Sequence, residues 1–192
     1  MKSAHKVVSS EAEELILVDE NDREAGFLSK AECHNGAGQL HRAFSVFLFN
    51  DAGELLLQQR SELKRLWPGF WSNTCCSHPR KGESMPVATR RRLRDELHIE
   101  TSLKFVYKFS YQAAFGDVGA EHELCHVYLG KADDSVVPNE QEIAAIRYVS
   151  AAALLGELED QPERYTPWFK MEWLALTEDH RDALSRYCDI QQ

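Results

Sequence analysis

The sequence predicts an α+β protein that folds as a single domain over residues 1–192. Short apolar runs of strand length recur along the chain, and a few segments have helical spacing. The two kinds of segment do not alternate regularly, as they would in repeated βαβ units. The chain also has no internal repeat, no low-complexity segment and no Gly/Ser-rich linker, so we find no domain boundary.

Strands and turns dominate the first half of the chain. Residues 14–18, ELILV, predict a first strand, and the turn-like DENDREAG follows them. Residues 43–49 are almost wholly apolar, which is typical of a strand buried on both faces. Residues 50–53 have good turn chemistry, so we expect ELLLQQR, residues 54–60, to pair with residues 43–49 as a hairpin.

The second half adds helices. Residues 84–97 predict a helix, because Ser84 can cap it, a proline comes early and two leucines lie four apart. Thr166 and the proline after it predict the start of a carboxy-terminal helical segment in two pieces, WFKMEWLAL and DALSRYC. Three further strands are predicted between these helices, at residues 104–111, 123–130 and 143–149.

Composition excludes several classes of function. The densest apolar run, AFSVFLF, has strand length and falls far short of the ~18 residues of a membrane helix. A net charge of −9 argues against general affinity for nucleic acid. Five cysteines in no regular framework, and an amino terminus without the apolar core of a signal peptide, indicate a cytoplasmic protein. We expect a monomer without membrane or nucleic-acid partners, because no exposed apolar stripe is evident.

Several imidazoles and carboxylates could bind a metal. Glu121 and Glu123 share one face of a strand while His122 points away. The full candidate set is His34, His41, His78, Glu121 and Glu123. Such ligands suit Mn²⁺, Zn²⁺ or Fe²⁺ better than Ca²⁺. From spacing alone, a solvated strand face is the commoner explanation, and we assign the remaining histidines to ordinary surface or core positions: His5, His98, His122, His126 and His180.

The stretch SNTCCSHPRKGES, residues 72–84, places Cys75 and Cys76 just before His78. A reactive thiol is one interpretation, and a small buried hydrophobic side chain is the other. The stretch lacks the second half of a structural zinc site.

A third group of residues could bind an anion: Lys30, Arg60, Lys64 and Arg92, supported by Arg90, Arg91 and Arg94. Arg92 and Glu96 lie four apart on one helix face. They could form a surface ion pair worth about 0.3–0.5 kcal/mol, or act on a phosphate and its Mg²⁺.

Several stretches resemble the type I isopentenyl-diphosphate isomerases of the Nudix superfamily, over residues 12–175. They are LHRAFSVFLFN, LLLQQRSELKRLWPGFWSNTCCSHPRKGES, ATRRRLRDEL, EHELCHVY and TPWF. The resemblance implies a Nudix-like mixed β-sheet sandwich with flanking helices and a C-terminal helical segment. It also implies interconversion of isopentenyl diphosphate and dimethylallyl diphosphate through a tertiary carbocation.

The resemblance assigns roles to residues at matching positions. It implies catalysis by Cys76 and Glu123 on opposite faces of the substrate, with Tyr111 as an active-site tyrosine. A divalent transition metal, Mn²⁺ or Zn²⁺, is expected on His34, His41, His78, Glu121 and Glu123, and Mg²⁺ on Glu96 with the substrate diphosphate. The diphosphate is expected at Lys30, Arg60, Lys64 and Arg92, and the hydrocarbon at Trp168.

Two alternatives remain. A Nudix hydrolase would cleave a nucleoside diphosphate with metal-bound glutamates, but Arg92 and Asp95 occupy two of those positions here. A metal-binding module without catalytic activity would be expected to have lost the thiol, the tyrosine or the cationic group, and the chain has all of them. His98 replaces a glycine common in both Nudix groups, so we expect the helix end to differ locally.

Overall fold

A computed structural model describes residues 8–132 and 135–190. The strands are β1 (Glu14–Val18), β2 (Glu24–Ser29), β3 (His41–Phe49), β4 (Leu55–Arg60), β5 (Trp71–Ser72), β6 (Cys75–Ser77), β7 (Leu103–Phe115), β8 (Gly119–Lys131) and β9 (Ile143–Val149). The helices are α1 (Lys30–Cys33), α2 (Met85–Leu97), α3 (Ala151–Asp160), α4 (Pro167–Glu178) and α5 (Arg181–Leu184), with a 3₁₀ turn at Pro162–Arg164.

The nine strands form one mixed sheet around β3. One edge of β3 pairs in parallel with β8 along its whole length, and β8 pairs antiparallel with β7. The other edge of β3 pairs in turn with β1, β6 and β4, all antiparallel. Strand β4 in turn pairs with β9 and with β5. The central position of β3 explains its nearly continuous apolar sequence.

Both faces of β3 are buried, and each face packs into a separate hydrophobic core. Phe44 and Val46 pack with Leu93 and Leu97 of α2. On the opposite face, Phe47 packs with α4 and stacks on Phe169 and Trp173, with ring centroids 6.0 and 6.5 Å away. The alternation of β3 therefore sends odd-numbered side chains toward α4 and even-numbered ones toward α2.

The predicted hairpin between β3 and β4 forms for only one residue pair, Phe49 with Leu55. Beyond that pair the strands diverge, and Thr74 lies between them. Its hydroxyl accepts a hydrogen bond from the Leu48 N–H (2.9 Å) and donates one to the Leu56 carbonyl (2.6 Å). Farther from the turn, β3 pairs with β6 and β4 pairs with β5, and the Thr74 hydroxyl serves two backbone groups that a regular hairpin would have paired with each other's strand.

The predicted strands and the predicted helices α2 and α4 are confirmed, but the predicted piece DALSRYC is helical only at its start, in α5. The elements α1, α3, β2, β5 and β6 were not predicted, and β2 begins inside the segment DENDREAG that was expected to be a loop. Ser84 and Thr166 are the N-cap residues of α2 and α4, but neither side chain caps its helix by a hydrogen bond. After α2, His98 takes the left-handed conformation, with φ of 57°, that a glycine would adopt more easily. Over the residues that the structure describes, no helix is both long and apolar enough to cross a membrane.

Candidate active site

Strand pairing puts three polar side chains in one row across the sheet. Glu123 of β8 is the register partner of Tyr111 in β7 and of His41 in β3. Because residues directly opposite each other share a face, all three project on the side that faces α4. Glu121 lies two residues before Glu123 and so points the same way, as the alternation predicted.

Two further histidines reach this row from loops. His34 follows α1, whose start is fixed by a capping box between Ser29 and Glu32. The His34 carbonyl accepts from the Ala120 N–H at 3.1 Å, and a Cβ on Gly119 would lie 2.3 Å from the same oxygen, so only glycine fits there. His78 directly follows β6.

These five side chains form one buried cluster whose potential ligand atoms all lie within 4.8 Å of one another: His34, His41, His78, Glu121 and Glu123. His34 Nε2 lies 2.8 Å from Glu121 Oε2, but neither atom makes a hydrogen bond. His41 Nδ1 contacts the Gln39 carbonyl at 2.7 Å, which leaves Nε2 free toward the cluster. Buried polar atoms without partners, facing one point, fit a divalent cation.

The titration behaviour of the cluster fits the same interpretation. Burial lowers the pKa of His41 to about 4 and that of His78 well below its usual value, so both rings are neutral at pH 7. Burial and the neighbouring Glu121 raise the pKa of Glu123. Burial also acts to raise the pKa of Glu121, but His34, His41 and Arg60 together outweigh it and lower that pKa. The two carboxylates therefore need a shared proton or a cation between them.

Glu123 is held on both of its oxygens. Its Oε2 accepts a hydrogen bond from the Tyr111 hydroxyl at 2.7 Å, and its Oε1 lies 2.7 Å from His78 Nε2 and 3.7 Å from His41 Nε2. Burial and the Glu123 charge raise the pKa of Tyr111, so the phenol remains a hydrogen-bond donor. Two groups able to carry a proton thus lie in direct contact.

The adjacent cysteines have different surroundings. Cys75 is buried in the core under α2, whereas Cys76 is partly exposed and borders the same cleft as Glu123. Arg60 Nη1 lies 3.9 Å from Cys76 Sγ. Burial raises the pKa of the Cys76 thiol to about 12, although Arg60 acts in the opposite direction. Of the two thiols, only Cys76 can meet a ligand.

Arg60 and Trp168 both line this cleft and contact each other. The Arg60 guanidinium donates to the carbonyls of Trp67 (3.0 Å) and Leu66 (2.7 Å). It also lies 5.3 Å from the centre of the Trp168 ring, a cation–π distance. The Trp168 indole N–H donates to the Ser72 hydroxyl at 3.1 Å. The indole ring is therefore held with one face toward positive charge.

More cationic side chains line this cleft. Lys30, Lys64 and Arg92 all line it, beside Ser9 and Glu11. Burial and the nearby Lys64 lower the pKa of Lys30, which indicates crowded positive charge. These side chains, together with Arg60, were the four predicted to bind the diphosphate, and one cleft brings them together.

The predicted pair of Arg92 and Glu96 is present, but it is not a surface ion pair. Arg92 and Glu96 are only 1% and 2% exposed. Arg92 also contacts Glu142 at 3.6 Å, and Glu142 pairs directly with Lys64. Sequence reasoning missed Glu142, because NEQE resembles an ordinary solvated turn.

The other arginines of α2 do not support this group. Arg91 pairs with Glu83 through two hydrogen bonds of 2.7 and 2.8 Å, and it contacts the His78 carbonyl at 3.3 Å. Arg90 and Arg94 are exposed. Among the histidines left to ordinary roles, His126 contacts Asp22 at 2.9 Å, and His5 lies outside the described residues.

Comparisons with known proteins identify the family of this chain. The NUDIX domain model matches residues 39–169. "Isopentenyl-diphosphate Delta-isomerase 1" of Photorhabdus laumondii is 42% identical over 174 residues, which cover 90% of this chain and 99% of that protein. "Isopentenyl-diphosphate Delta-isomerase" of Burkholderia multivorans is 45% identical over 157 residues, or 82% and 89% of the two chains.

The chain belongs to the isopentenyl-diphosphate isomerase family of the Nudix superfamily.

Solved structures support the fold of this family member. A Deinococcus radiodurans crystal structure aligns with a TM-score of 0.66 at 22% identity, and it covers 91% of this chain and 99% of its own. The MutT protein of Methanosarcina mazei aligns with a TM-score of 0.61 at 17% identity, over 74% and 96% of the two chains. At these identities the match shows a shared Nudix fold and nothing about the reaction.

Proposed function

We propose that the protein interconverts isopentenyl diphosphate and dimethylallyl diphosphate. One observation carries the proposal: a thiol, a carboxylate hydrogen-bonded to a phenol and a set of paired cations all border one cleft. A diphosphate needs the cations, and moving a double bond needs two groups that exchange protons with carbon. The assignment agrees with the names of the relatives.

The reaction moves two protons and keeps the diphosphate. One proton adds to the terminal CH₂ carbon of the alkene, which leaves a positive charge on the tertiary carbon. A second proton leaves the CH₂ group on the other side of that carbon, and its electrons form the new double bond. We assign Cys76 and Glu123 to these two transfers from opposite walls of the cleft, and they exchange roles in the reverse direction.

Tyr111 holds Glu123 in place and shares its proton. The hydrogen bond of 2.7 Å fixes the carboxylate toward the cleft, while His78 and His41 hold its other oxygen. A group oriented from both sides delivers or accepts a proton without first having to reorganise. Tyr111 is therefore part of the acid–base unit.

Trp168 and the packing around it protect the cationic intermediate. Water would capture a tertiary cation, so the slot must exclude water and offer no nucleophile. Trp168 is 3% exposed and packs edge-on against Trp67, with ring centroids 5.1 Å apart. An indole face stabilises a cation by about 2 kcal/mol or more when it is desolvated.

Two metal sites are assigned to this chain's own residues. His34, His41, His78, Glu121 and Glu123 would hold a divalent transition metal, Mn²⁺ or Zn²⁺. Once bound, that metal neutralises the paired carboxylates and fixes Glu123. Glu96 would hold the Mg²⁺ that neutralises charge on the substrate diphosphate, and to do so it would have to turn from its present pairing with Arg92, in which it is 2% exposed. We further propose that the protein is a cytoplasmic monomer that acts on a small diphosphate.

The test is incubation with isopentenyl diphosphate and Mg²⁺, with dimethylallyl diphosphate and inorganic phosphate measured separately. We expect the allylic product without phosphate release. Phosphate released without allylic product would instead identify a Nudix hydrolase.

A further inference from the structure

Ser72 lies at a buried contact between the segment that leads to Cys76 and the start of α4. It is the second residue of β5, and its side chain is 0% exposed. Its hydroxyl accepts a hydrogen bond from the Trp168 indole N–H at 3.1 Å. The same hydroxyl oxygen lies 2.9 Å from Thr166 Oγ1 and 2.9 Å from Asn73 Oδ1. Ser72 therefore contacts the ring assigned to the hydrocarbon, although it has no part in the proton transfers.

The donors and acceptors available to these buried groups fix the direction of each hydrogen bond. The Asn73 amide nitrogen donates to the Cys75 carbonyl at 2.9 Å, which leaves Asn73 Oδ1 as an acceptor. The single hydroxyl hydrogen of Ser72 is donated to that oxygen. The Thr166 hydroxyl must then donate to Ser72, which accepts from both Thr166 and the Trp168 N–H. One donated and two accepted bonds use the whole capacity of the Ser72 hydroxyl, so it is held in one orientation.

The backbone joins the same two segments. The Thr166 N–H donates to the Trp71 carbonyl at 3.0 Å, and Trp71 forms a parallel bridge with Tyr165. The chain continues from Trp71 through Ser72 to Cys76, whose thiol borders the cleft. Short buried connections therefore link the indole of α4 to the strand that bears the thiol.

The Trp168 ring depends on Ser72 for its orientation. Its other side-chain contacts are cation–π or aromatic contacts, 5.1 to 6.2 Å from the ring centre, with Arg60, Trp67 and Tyr111. Such contacts restrict the angle of a ring less strictly than a directed hydrogen bond does. An indole has one N–H donor, and Ser72 accepts it. Loss of this acceptor would leave a buried N–H without a partner and would free the ring to turn.

A turned ring would change the fate of the cationic intermediate. The tertiary cation survives until it loses a proton only while water is kept away from it. Trp168 lines the cleft and is 3% exposed, so it forms part of the dry wall. Water that enters beside the turned ring would form a C–O bond to the tertiary carbon with an oxygen lone pair and lose a proton to solvent. The product would be a tertiary alcohol that keeps the diphosphate.

We propose that Ser72 is a positioning residue, which holds the Trp168 ring at the angle that keeps water away from the cationic intermediate. This inference rests on the proposed function, because it takes the reaction through a tertiary cation. Ser72 does not line the cleft, so it acts through Trp168 and does not touch the substrate.

The test follows the products of isopentenyl diphosphate by mass spectrometry, with Mg²⁺ and in water labelled with heavy oxygen. The wild type should form dimethylallyl diphosphate without labelled alcohol. Ser72→Ala removes only the hydroxyl, and we expect kcat to fall about tenfold and the alcohol to make up about a tenth or more of the product. KM and the dissociation constant for pyrophosphate should stay within about twofold of the wild type, because the diphosphate contacts are intact.

Two further variants separate this role from a general loss of stability. Thr89→Val removes another buried hydroxyl, which donates to the Met85 carbonyl in α2 at 2.9 Å, and it should keep the wild-type kcat and products. Trp168→Phe has no ring N–H, so Ser72→Ala should cost nothing further in that background.

Three results would overturn the proposal: unchanged kcat and products in Ser72→Ala, additive losses in the double variant with Trp168→Phe, or a loss of diphosphate affinity as large as the loss of kcat. The last result indicates a purely structural role. If melting temperatures show that Ser72→Ala does not fold, Ser72→Cys takes its place, because sulfur is only a weak acceptor for the indole N–H.

A measurement without turnover distinguishes failure of this inference from failure of the proposed function. The chain has four tryptophans, and Trp168→Phe identifies the indole N–H signal of Trp168 by NMR. Hydrogen exchange at this N–H should be at least about tenfold faster in Ser72→Ala than in the wild type. An inactive protein with this response would refute the isomerase assignment alone. An active isomerase without it would refute only the role of Ser72.

Discussion

Glu172 offers a sharp test of how this core tolerates charge. The side chain projects from α4 into the core beneath the cleft and is 0% exposed. Its Oε1 lies 3.4 Å from Cys125 Sγ, and its Oε2 has no hydrogen-bond partner. Burial raises the pKa of Glu172 to about 8, although contacts with Ser45 and Cys125 act to lower it. The carboxyl group is therefore mostly neutral at pH 7.

The pH dependence of stability that Glu172 causes follows from the linkage between proton binding and folding. The folded chain holds the proton more tightly than the unfolded chain, whose value is near 4.5, so stability falls as pH rises from 4.5 and levels off above about 8. At about 1.36 kcal/mol per pH unit, the complete loss is on the order of 5 kcal/mol, of which about 2.5 kcal/mol falls between pH 6 and 9. Solvent does not screen this carboxyl group, because none of its surface is exposed.

Glu172→Gln removes this titration while it keeps the size and shape of the side chain. We expect its free energy of unfolding, relative to that of the wild type, to increase by about 2.5 kcal/mol between pH 6 and pH 9. Urea unfolding at a series of pH values measures the difference, and other titrating groups cancel in the comparison. Glu178→Gln, at an exposed position of the same helix, should follow the wild type at every pH. Parallel curves for Glu172→Gln and the wild type would refute the reasoning.

Three further predictions concern the site and the strands that support it. Cys76→Ala should reduce turnover at least about a hundredfold while it keeps pyrophosphate binding, whereas Cys75→Ala should stay active. Steady-state rates of the two variants measure the difference, and the reverse pattern would exchange the roles assigned to the two cysteines. Glu123→Gln should abolish turnover and reduce bound transition metal, so metal content is measured beside the rate, and normal turnover would contradict its role. Thr74→Val should lower the free energy of unfolding by about 3 kcal/mol, because two buried backbone groups lose their hydrogen-bond partner. Thr74→Ser keeps the hydroxyl and should cost much less. Equal losses for the two variants in urea unfolding would contradict this prediction.

Much of the site could be predicted because local periodicity fixes it. Alternation along β8 puts Glu121 and Glu123 on one face, and helical spacing puts Arg92 and Glu96 together. Spacing alone could not show that these residues are buried, because burial depends on what packs over them. The family resemblance supplied the assignment of these residues to one site, and His41 illustrates why it was needed: only the pairing of β3 with β8 brings it to Glu123.

The features that were missed depend on tertiary contacts. Only Leu154 is buried in α3, so this helix shows little apolar periodicity, although Ser150 caps it and could have signalled its start. Glu142 and Glu172 look like ordinary solvated acids in the sequence, and their burial follows from the docking of a loop and a helix. The single-pair hairpin of β3 and β4 was equally hidden, because Thr74 lies between the strands only in the folded chain.

Strand β3 sets the spacing between the two proposed acid–base groups. Its His41 is the register partner of Glu123, and its Ser45 is the register partner of Cys76. These two rows are four residues apart, or about 13 Å along the strand, and an even separation keeps both on the face toward α4. A shift of one residue in either pairing would turn the thiol or the carboxylate into the opposite core under α2. The continuous apolar packing of β3 on both faces therefore does more than stabilise the fold, because it fixes the register on which the proposed chemistry depends.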